Sequence, residues 1–492
     1  MAGKYERRRK FSPLPIILIL LIAAIIALGV ILLKGGFSPS TPETPTNPQS
    51  TASSDGTSDT NPPEDTTPPE TEPPVIDTTA SFVVTGDLLM HRPVFESCWR
   101  ASEGTWIFDP IFEHIVPYVQ EADYAVANLE TTLCGDNNGY TYGGFPQFNC
   151  PDGIATSAKD AGFDMFLTVN NHCYDTRVVG IQRTLDVLSK TGLESLGTQM
   201  TAEDPDYKVI EINGIKVGMT AYTYETGDGL PDIPSINTIQ CNPNSFGLNN
   251  SFDYGNLDRF YEKMSAHLEA MRAEGAEAIV VFMHWGEEYQ TAINGTQKKM
   301  AQQLCDMGVD VIVGGHHHVI QPTDLLTSTL DENHKTLIIY STGNAVSNQR
   351  IHEMRLKTGH TEDGILFRFT LVRYIDGTVM VQSADAIPTW VNMPLDQSLY
   401  AILPLDNATR DQWQDAYGIG NTTYAACEAS YDRTMALVGN GLEKAQAYFD
   451  TVNEEKIYQL RNPELFPEPA ETESTAPTEV TEPSESIDTP TE

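Results

Sequence analysis

Three consecutive histidines, His316, His317 and His318, sit in the stretch VIVGGHHHVIQP, out of eleven in the 492-residue chain. The apolar run before them reads as a buried strand, so the cluster falls at a strand end. At i and i+2, the outer pair projects to one side of an extended segment. Two neutral imidazoles on one side make a ready pair of metal ligands. His284, at the end of the apolar run in FMHWGEE, offers a third nitrogen. Asp87 in TGDLLM and Glu130 in VANLE offer hard anionic oxygens, and Asn171 in VNNHCYD a neutral carbonyl oxygen. Mixed His, carboxylate and amide ligation suits Mn, Fe or Zn better than Ca or Cu(I), and one or two divalent ions per chain are expected. His172 is a candidate general acid, with Asp175 as its orienter if a helix starts here and puts both on one face.

Each of these residues also has a plain reading. A lone His at a strand end is more often a hydrogen-bonded structural residue, and a lone Gly-Asp ends a strand through turn chemistry. Asp175 is equally well placed as helix N-terminal charge. Glu287 and Glu288 read as a solvated acidic turn, and Trp285 as core. Phe108, Tyr140, Tyr142 and Phe145 lie in long loops, where substrate contacts often sit.

The elements that must position these groups follow an α/β plan of short β-rich runs alternating with helical patterns. SFVVTGD (81–87), YAVANLE (124–130), DMFLTVNNH (164–172), AEAIVVFMHWGEE (276–288) and VDVIVGGHHH (309–318) read as strands, each with polar residues at its end. Helices are expected over the segment PIFEHIVPYVQEAD, from Val178, near 257–274 and from Gln297 to Met307. KVIEINGIKVGMTAYT reads as a hairpin turning at Asn213-Gly214. In α/β sheets, ligands gather outside the carboxyl ends of strands. Five such ends therefore suggest one site.

Taken in order, TGDLLM, VANLETTL, VNNHCYD, FMHWGEEY, VIVGGHHHVIQP and YSTGN resemble the CapA family of poly-γ-glutamate capsule biosynthesis proteins. That family is similar in fold to the calcineurin-like metallophosphoesterases, and the resemblance covers roughly residues 80–388. It implies a sandwich of mixed β-sheets flanked by helices. By resemblance, Asp87 is a carboxylate ligand and Glu130 takes the place of the metal-bridging carboxylate. Asn171, His284, His316 and His318 match the other metal ligands, and His172 the histidine that assists the leaving group. Two departures stand out. Leu89 replaces the histidine of an Asp-x-His pattern, and Asn128-Leu129-Glu130 replaces Gly-Asp-x-x-Asp. His317 stands where the family usually has proline. The resemblance further implies work on a capsular anionic polymer, with a capsule synthase or export complex as partner. A metal-dependent hydrolase of phosphoester or amide bonds, and a non-catalytic polymer-binding scaffold, are the alternatives.

Composition divides the chain. A basic segment (1–13) precedes an apolar stretch (14–34) in which Ile16 to Leu33 is long enough to span a bilayer. With no convincing cleavage site, it reads as an uncleaved anchor in the cell membrane, basic side in, with the rest outside. Residues 35–79 form an acidic Pro/Thr/Ser-rich linker, 80–390 the main domain, 391–462 a helical extension, and 463–492 an acidic tail. Residues 37–78 carry eight acidic groups and 463–492 carry nine, so 17 of the formal net charge of −38 lies there and about −21 on the rest. Such acidity excludes a nucleic-acid partner. Seven cysteines without a C-x-x-C pair argue against a structural zinc site, and Cys134 with Cys150 is the one pairing the spacing suggests.

Overall fold

The computed structural model of the chain describes residues 74–227, 233–356, 359–396 and 398–466. In chain order its principal strands begin with β1 (Ile76–Leu88), β2 (Tyr124–Leu129), β3 (Met165–Leu167) and β4 (Glu194–Leu196). Next come β5 (Lys208–Ile212), β6 (Ile215–Tyr224), β7 (Ser251–Phe252), β8 (Ala278–His284), β9 (Val311–Gly315), β10 (Ile320–Thr327) and β11 (Lys335–Thr342). The last are β12 (Asn344–Val346), β13 (Asp363–Tyr374), β14 (Val379–Asn392) and β15 (Ala401–Pro404). The longer helices are α1 (Gly153–Ala161), α2 (Arg177–Thr191), α3 (Leu257–Ala273), α4 (Gly295–Asp306) and α5 (Asn421–Arg461).

These strands make two mixed sheets. The first runs β15-β14-β13-β1-β2-β3-β4, with β12 also on β1, and the second runs β7-β6-β8-β9-β11-β10, with β5 on β6. Strands β1 to β4 are parallel, as are β6, β8, β9 and β11. Alternation explains the layering. Phe82 and Val84 of β1 meet Val280 and Phe282 of β8 in one cluster between the sheets. Their neighbour Val83 faces an outer cluster with Phe112 and Ile154, while Ile279 and Val281 face the other side with Phe260 and Met300. Strands buried on both faces are apolar throughout, which is why they read as continuous apolar runs. The expected mixed-sheet sandwich flanked by helices is the observed architecture.

Beyond residue 390 the chain differs from a purely helical extension. β15 pairs with β14 and lengthens the first sheet. Helix α5 then packs Val438, Leu442, Ala445 and Phe449, at helical spacing, into the cluster between the sheets. Its closest approach is at Gly441, where a Cβ would lie 2.1 Å from the Thr323 carbonyl oxygen of edge strand β10. Thr323 Oγ1 donates to the Val438 carbonyl at 2.6 Å across the same contact. Gly441→Val is expected to lose about 3 kcal/mol by overpacking. Lys444→Met, which cuts the exposed Lys444–Asp324 pair and the Lys444 hydrogen bond to the Leu325 carbonyl, should lose about 1 kcal/mol. Urea melts of the two variants check the contrast.

Other boundaries shift for identifiable reasons. β1 starts at Ile76, inside the expected linker, because Asp77 pairs with Arg373 at 2.7 Å and Thr78 Oγ1 donates to the Asn213 carbonyl. The helix expected over PIFEHIVPYVQEAD is broken into Asp109–Phe112 and Val116–Glu121, with prolines in the first turn of each. Cys134 and Cys150 are buried free thiols, not a disulfide. The anchor expected at 14–34 lies outside the described residues. Among those described, no helix is long and apolar enough to cross a membrane.

Candidate metal centre

Each of the six expected ligands sits at or just past a strand on the seam between the two sheets. Asp87 lies near the end of β1, Glu130 directly follows β2, and Asn171 is in the turn after β3. His284 ends β8, and His316 and His318 follow β9. Three side chains come from each sheet, and all six are buried. His316 and His318 converge differently from the extended-chain expectation. Both have left-handed backbone, with φ of 94° and 56°, so the segment is a tight turn rather than a strand.

The side chains interlock. His284 Nε2 lies 2.8 Å from Asn171 Oδ1 and 3.2 Å from His316 Nδ1. His318 Nδ1 lies 3.1 Å from Asp87 Oδ2, whose partner oxygen Oδ1 accepts from Asn128 Nδ2 at 2.8 Å. Asn170 then holds Asn128 Oδ1 and the Leu129 carbonyl through Nδ2, and its own Oδ1 accepts the His172 amide. Adjacent parallel strands thus lock their terminal amides into one chain leading from Asp87 to His172.

Glu130 is the exception. It is fully buried, and neither carboxylate oxygen has a hydrogen-bond partner. Oε1 lies 3.8 Å from both His284 Nε2 and His318 Nε2. Burial first, then the charge of Asp87, holds its carboxyl well above the ordinary range. Burial keeps His284 neutral, its pKa pushed down to about 3, and places His316 well below its usual value, so both present lone pairs. Burial opposes protonation of His318 too, but the Asp87 hydrogen bond and charge outweigh it and raise that pKa. Burial would raise Asp87; its hydrogen bond and charge interaction with His318 prevail and lower it.

These residues fit a divalent ion. Donors held about 2.0–2.2 Å from one ion lie about 3–3.5 Å from one another, which the 2.8–3.8 Å spacings bracket. One atom each from Asp87, Glu130 and His284 falls within 4.8 Å of the others. A cation between the buried Glu130 carboxyl and the imidazole nitrogens facing it would satisfy the oxygens that the protein leaves without hydrogen bonds.

His172 and Asp175 meet as expected, with Nδ1 to Oδ2 at 2.9 Å, but within a turn, since α2 begins only at Arg177. Asp175 Oδ2 also accepts the Phe148 amide at 2.6 Å, so its charge is fully engaged there. The Phe148 ring lies edge-on between His172 at 4.5 Å and His91 at 5.2 Å. His91 is a wall residue that the sequence reading missed, because it looked for histidine two positions after Asp87 rather than four. Burial and the charge of His318 press its pKa down to about 4. Asn237, from a hairpin tip, places Nδ2 3.3 Å from His172 Nδ1.

The remaining candidates divide. Trp285 is core, fully buried with Nε1 donating to the Tyr340 carbonyl at 3.1 Å. Phe108 is core too, and does not belong with the loop aromatics. Phe145 is 76% exposed, and Tyr142 packs at 5.1 Å on Trp106. Glu287 and Glu288 are exposed, in keeping with a solvated turn.

The chain is similar to two curated proteins. The PGA biosynthesis protein CapA of Bacillus subtilis (strain 168) is 26% identical over 282 residues, 55% of this chain and 63% of that protein. The capsule biosynthesis protein CapA of Bacillus anthracis is 28% identical over 272 residues, 55% of this chain and 60% of that protein. The match therefore spans less than two thirds of either relative. Among solved structures, the Termus thermophilus sulfate thiohydrolase SoxB in complex with glycerol is similar at 15% identity and a TM-score of 0.34, covering 74% of this chain and 61% of that one. The family model for the bacterial capsule synthesis protein PGA_cap matches residues 81–349, more than half of the chain and a span that contains the candidate site. The chain belongs to the bacterial capsule synthesis protein PGA_cap family.

Proposed function

We propose that this is a membrane-anchored, extracytoplasmic CapA-like protein with a metal-dependent hydrolytic centre of the calcineurin-like metallophosphoesterase type. Through that centre it takes part in the synthesis or export of a capsular anionic polymer such as poly-γ-glutamate. The observation that carries the metal reading is Glu130, buried without a hydrogen bond and facing two histidine nitrogens at 3.8 Å. Asp87, Glu130, Asn171, His284, His316 and His318 would hold one or two ions of Mn, Fe or Zn. A bound divalent ion supplies Lewis-acid polarisation of a phosphoryl or carbonyl oxygen and an activated water.

The chain's own residues do the rest. His172 passes a proton to the leaving group of a phosphoester or amide, and Asp175 holds the imidazole by Nδ1 so that Nε2 is presented. This dyad favours bond cleavage over a purely binding scaffold, which has no use for an oriented proton donor. A chain of net charge −38 repels a polyanion at long range, and a cationic centre gives the polymer a local foothold. The membrane segment and a capsule synthase or export complex as partner rest on the sequence and on the names of the relatives.

The deciding experiment is metal analysis of the purified chain, followed by turnover assays on phosphate esters and γ-glutamyl amides. The reading expects bound Mn, Fe or Zn, and turnover abolished by His316→Ala. A chain that takes up none of these ions and cleaves neither bond class would sink it.

A further inference from the structure

Of the six motifs in the chain, YSTGN alone had no assigned role, and its last residue is Asn344 in β12. Asn344 is fully buried and lies beside Asp87 in the parallel register of β12 on β1. Its side-chain amide can sit only one way round. Nδ2 faces four oxygens, the carbonyls of His318 at 3.3 Å and Thr361 at 2.9 Å, Ser347 Oγ at 3.2 Å and Gln349 Oε1 at 3.0 Å. Gln349 in turn is oriented by donating Nε2 to Tyr289 Oη at 3.1 Å, which leaves its Oε1 as the acceptor. A flipped Asn344 amide would set an oxygen against the His318 and Thr361 carbonyls, which only accept.

Asn344 Oδ1 therefore points at His318 Nδ1, 3.0 Å away. Asp87 Oδ2 reaches the same nitrogen at 3.1 Å. Both neighbours only accept, so in the neutral ring Nδ1 carries the proton and Nε2, 3.8 Å from Glu130, has the free lone pair.

We propose that Asn344 is a positioning residue of the metal centre: it fixes the tautomer and orientation of His318 so that Nε2 is the ligating nitrogen. Asp87 is itself an expected ligand, so a bound ion would compete with the Nδ1 proton for its carboxylate, one oxygen of which already accepts from Asn128. With an ion in place, Asn344 is the acceptor that still holds the Nδ1 proton. The inference rests on the metal reading of the site.

The test compares Asn344→Ala and Asn344→Asp in the 492-residue chain, titrated with Mn2+ alone by calorimetry and melted without metal. Asp keeps the acceptor for His318 but puts a carboxylate against the four Nδ2 acceptors, so it is the less stable variant. Positioning expects Asn344→Ala to lose about 10- to 100-fold in Mn2+ affinity while Asn344→Asp loses less, an order opposite to their stabilities. Affinity that follows stability in both variants overturns the proposal. Should Asn344→Asp fail to fold, Ser347→Ala removes one Nδ2 acceptor without touching the His318 contact, and its Mn2+ affinity should equal wild type. A loss there as large as that of Asn344→Ala also overturns it.

A second arm needs no metal. The 15N shifts of His318 in the metal-free chain at alkaline pH should report the Nδ1–H tautomer in wild type and in Asp87→Ala, and its loss only when Asn344→Ala is added. A wild-type Nε2–H tautomer, or no change in the double variant, refutes the role of Asn344. Absence of Mn2+ binding by wild type together with the expected tautomers would refute the metal reading instead.

Discussion

Glu130→Gln is expected to melt above wild type in metal-free buffer and to gain nothing on addition of Mn2+. The carboxyl has no hydrogen-bond partner within the protein, so without an ion its burial carries a desolvation penalty of about 1–3 kcal/mol. With an ion it becomes a ligand, and saturation at about 100 times Kd stabilises the folded state by about 2.7 kcal/mol. Replacing the titratable carboxyl by an amide removes both effects. The pH dependence has a definite sign. Because the folded carboxyl titrates well above its usual value, the metal-free folded chain keeps a proton that the unfolded chain loses above about pH 4.3. Wild type should therefore lose stability as pH rises past that point, until the folded pKa is passed. Glu130→Gln should show no such loss, and the two melting curves should diverge with pH. A variant less stable than wild type without metal, yet still stabilised by Mn2+, would show that Glu130 is neither strained nor a ligand.

Asp175→Asn should cut turnover of a phosphate ester with a poor leaving group, such as phenyl phosphate, by about 10²- to 10⁴-fold. The same change should cost p-nitrophenyl phosphate far less, because that leaving group departs without help from an acid. In wild type, Asp175 Oδ2 accepts from the Phe148 amide and from His172 Nδ1. An asparagine there can present its NH2 to Nδ1, which forces the proton to Nε2 and turns the ring away from its role. A second variant, Phe148→Leu, removes the ring that lies 4.5 Å from His172 and 5.2 Å from His91 and should lower both substrates alike. Equal losses for the two esters in Asp175→Asn would remove His172 from the proton-transfer role.

The candidate ligands were legible because each ends a segment with a strong local signal. β8 is seven buried residues closing on His284, and β2 is six closing just before Glu130. The order of the motifs then made one site out of strand ends that alone mean little. What stayed hidden is what local pattern does not encode. Asn344 acts across 26 residues on His318, and its value lies in four oxygens that converge only in the fold. His91 is placed by a turn that returns the chain to Phe148. The left-handed backbone at His316 and His318 runs against residue preference, and nothing in a histidine triplet announces it. β15 escaped notice because four residues, AILP, carry too little pattern to stand out from a loop.

The first sheet has a consequence for how the chain is made. β1 pairs on one side with β13, Thr85 opposite Leu366, although the whole second sheet lies between them in the sequence. At about 5–20 residues per second of synthesis, β1 waits on the order of 15–60 s for that neighbour to emerge. Asp87 and Glu130 are thus among the first ligands made, and the strand that carries one of them is among the last to be completed. A nascent chain would meet metal ions with half a site in hand. Export in the unfolded state would postpone that meeting to the compartment where all six donors can close at once.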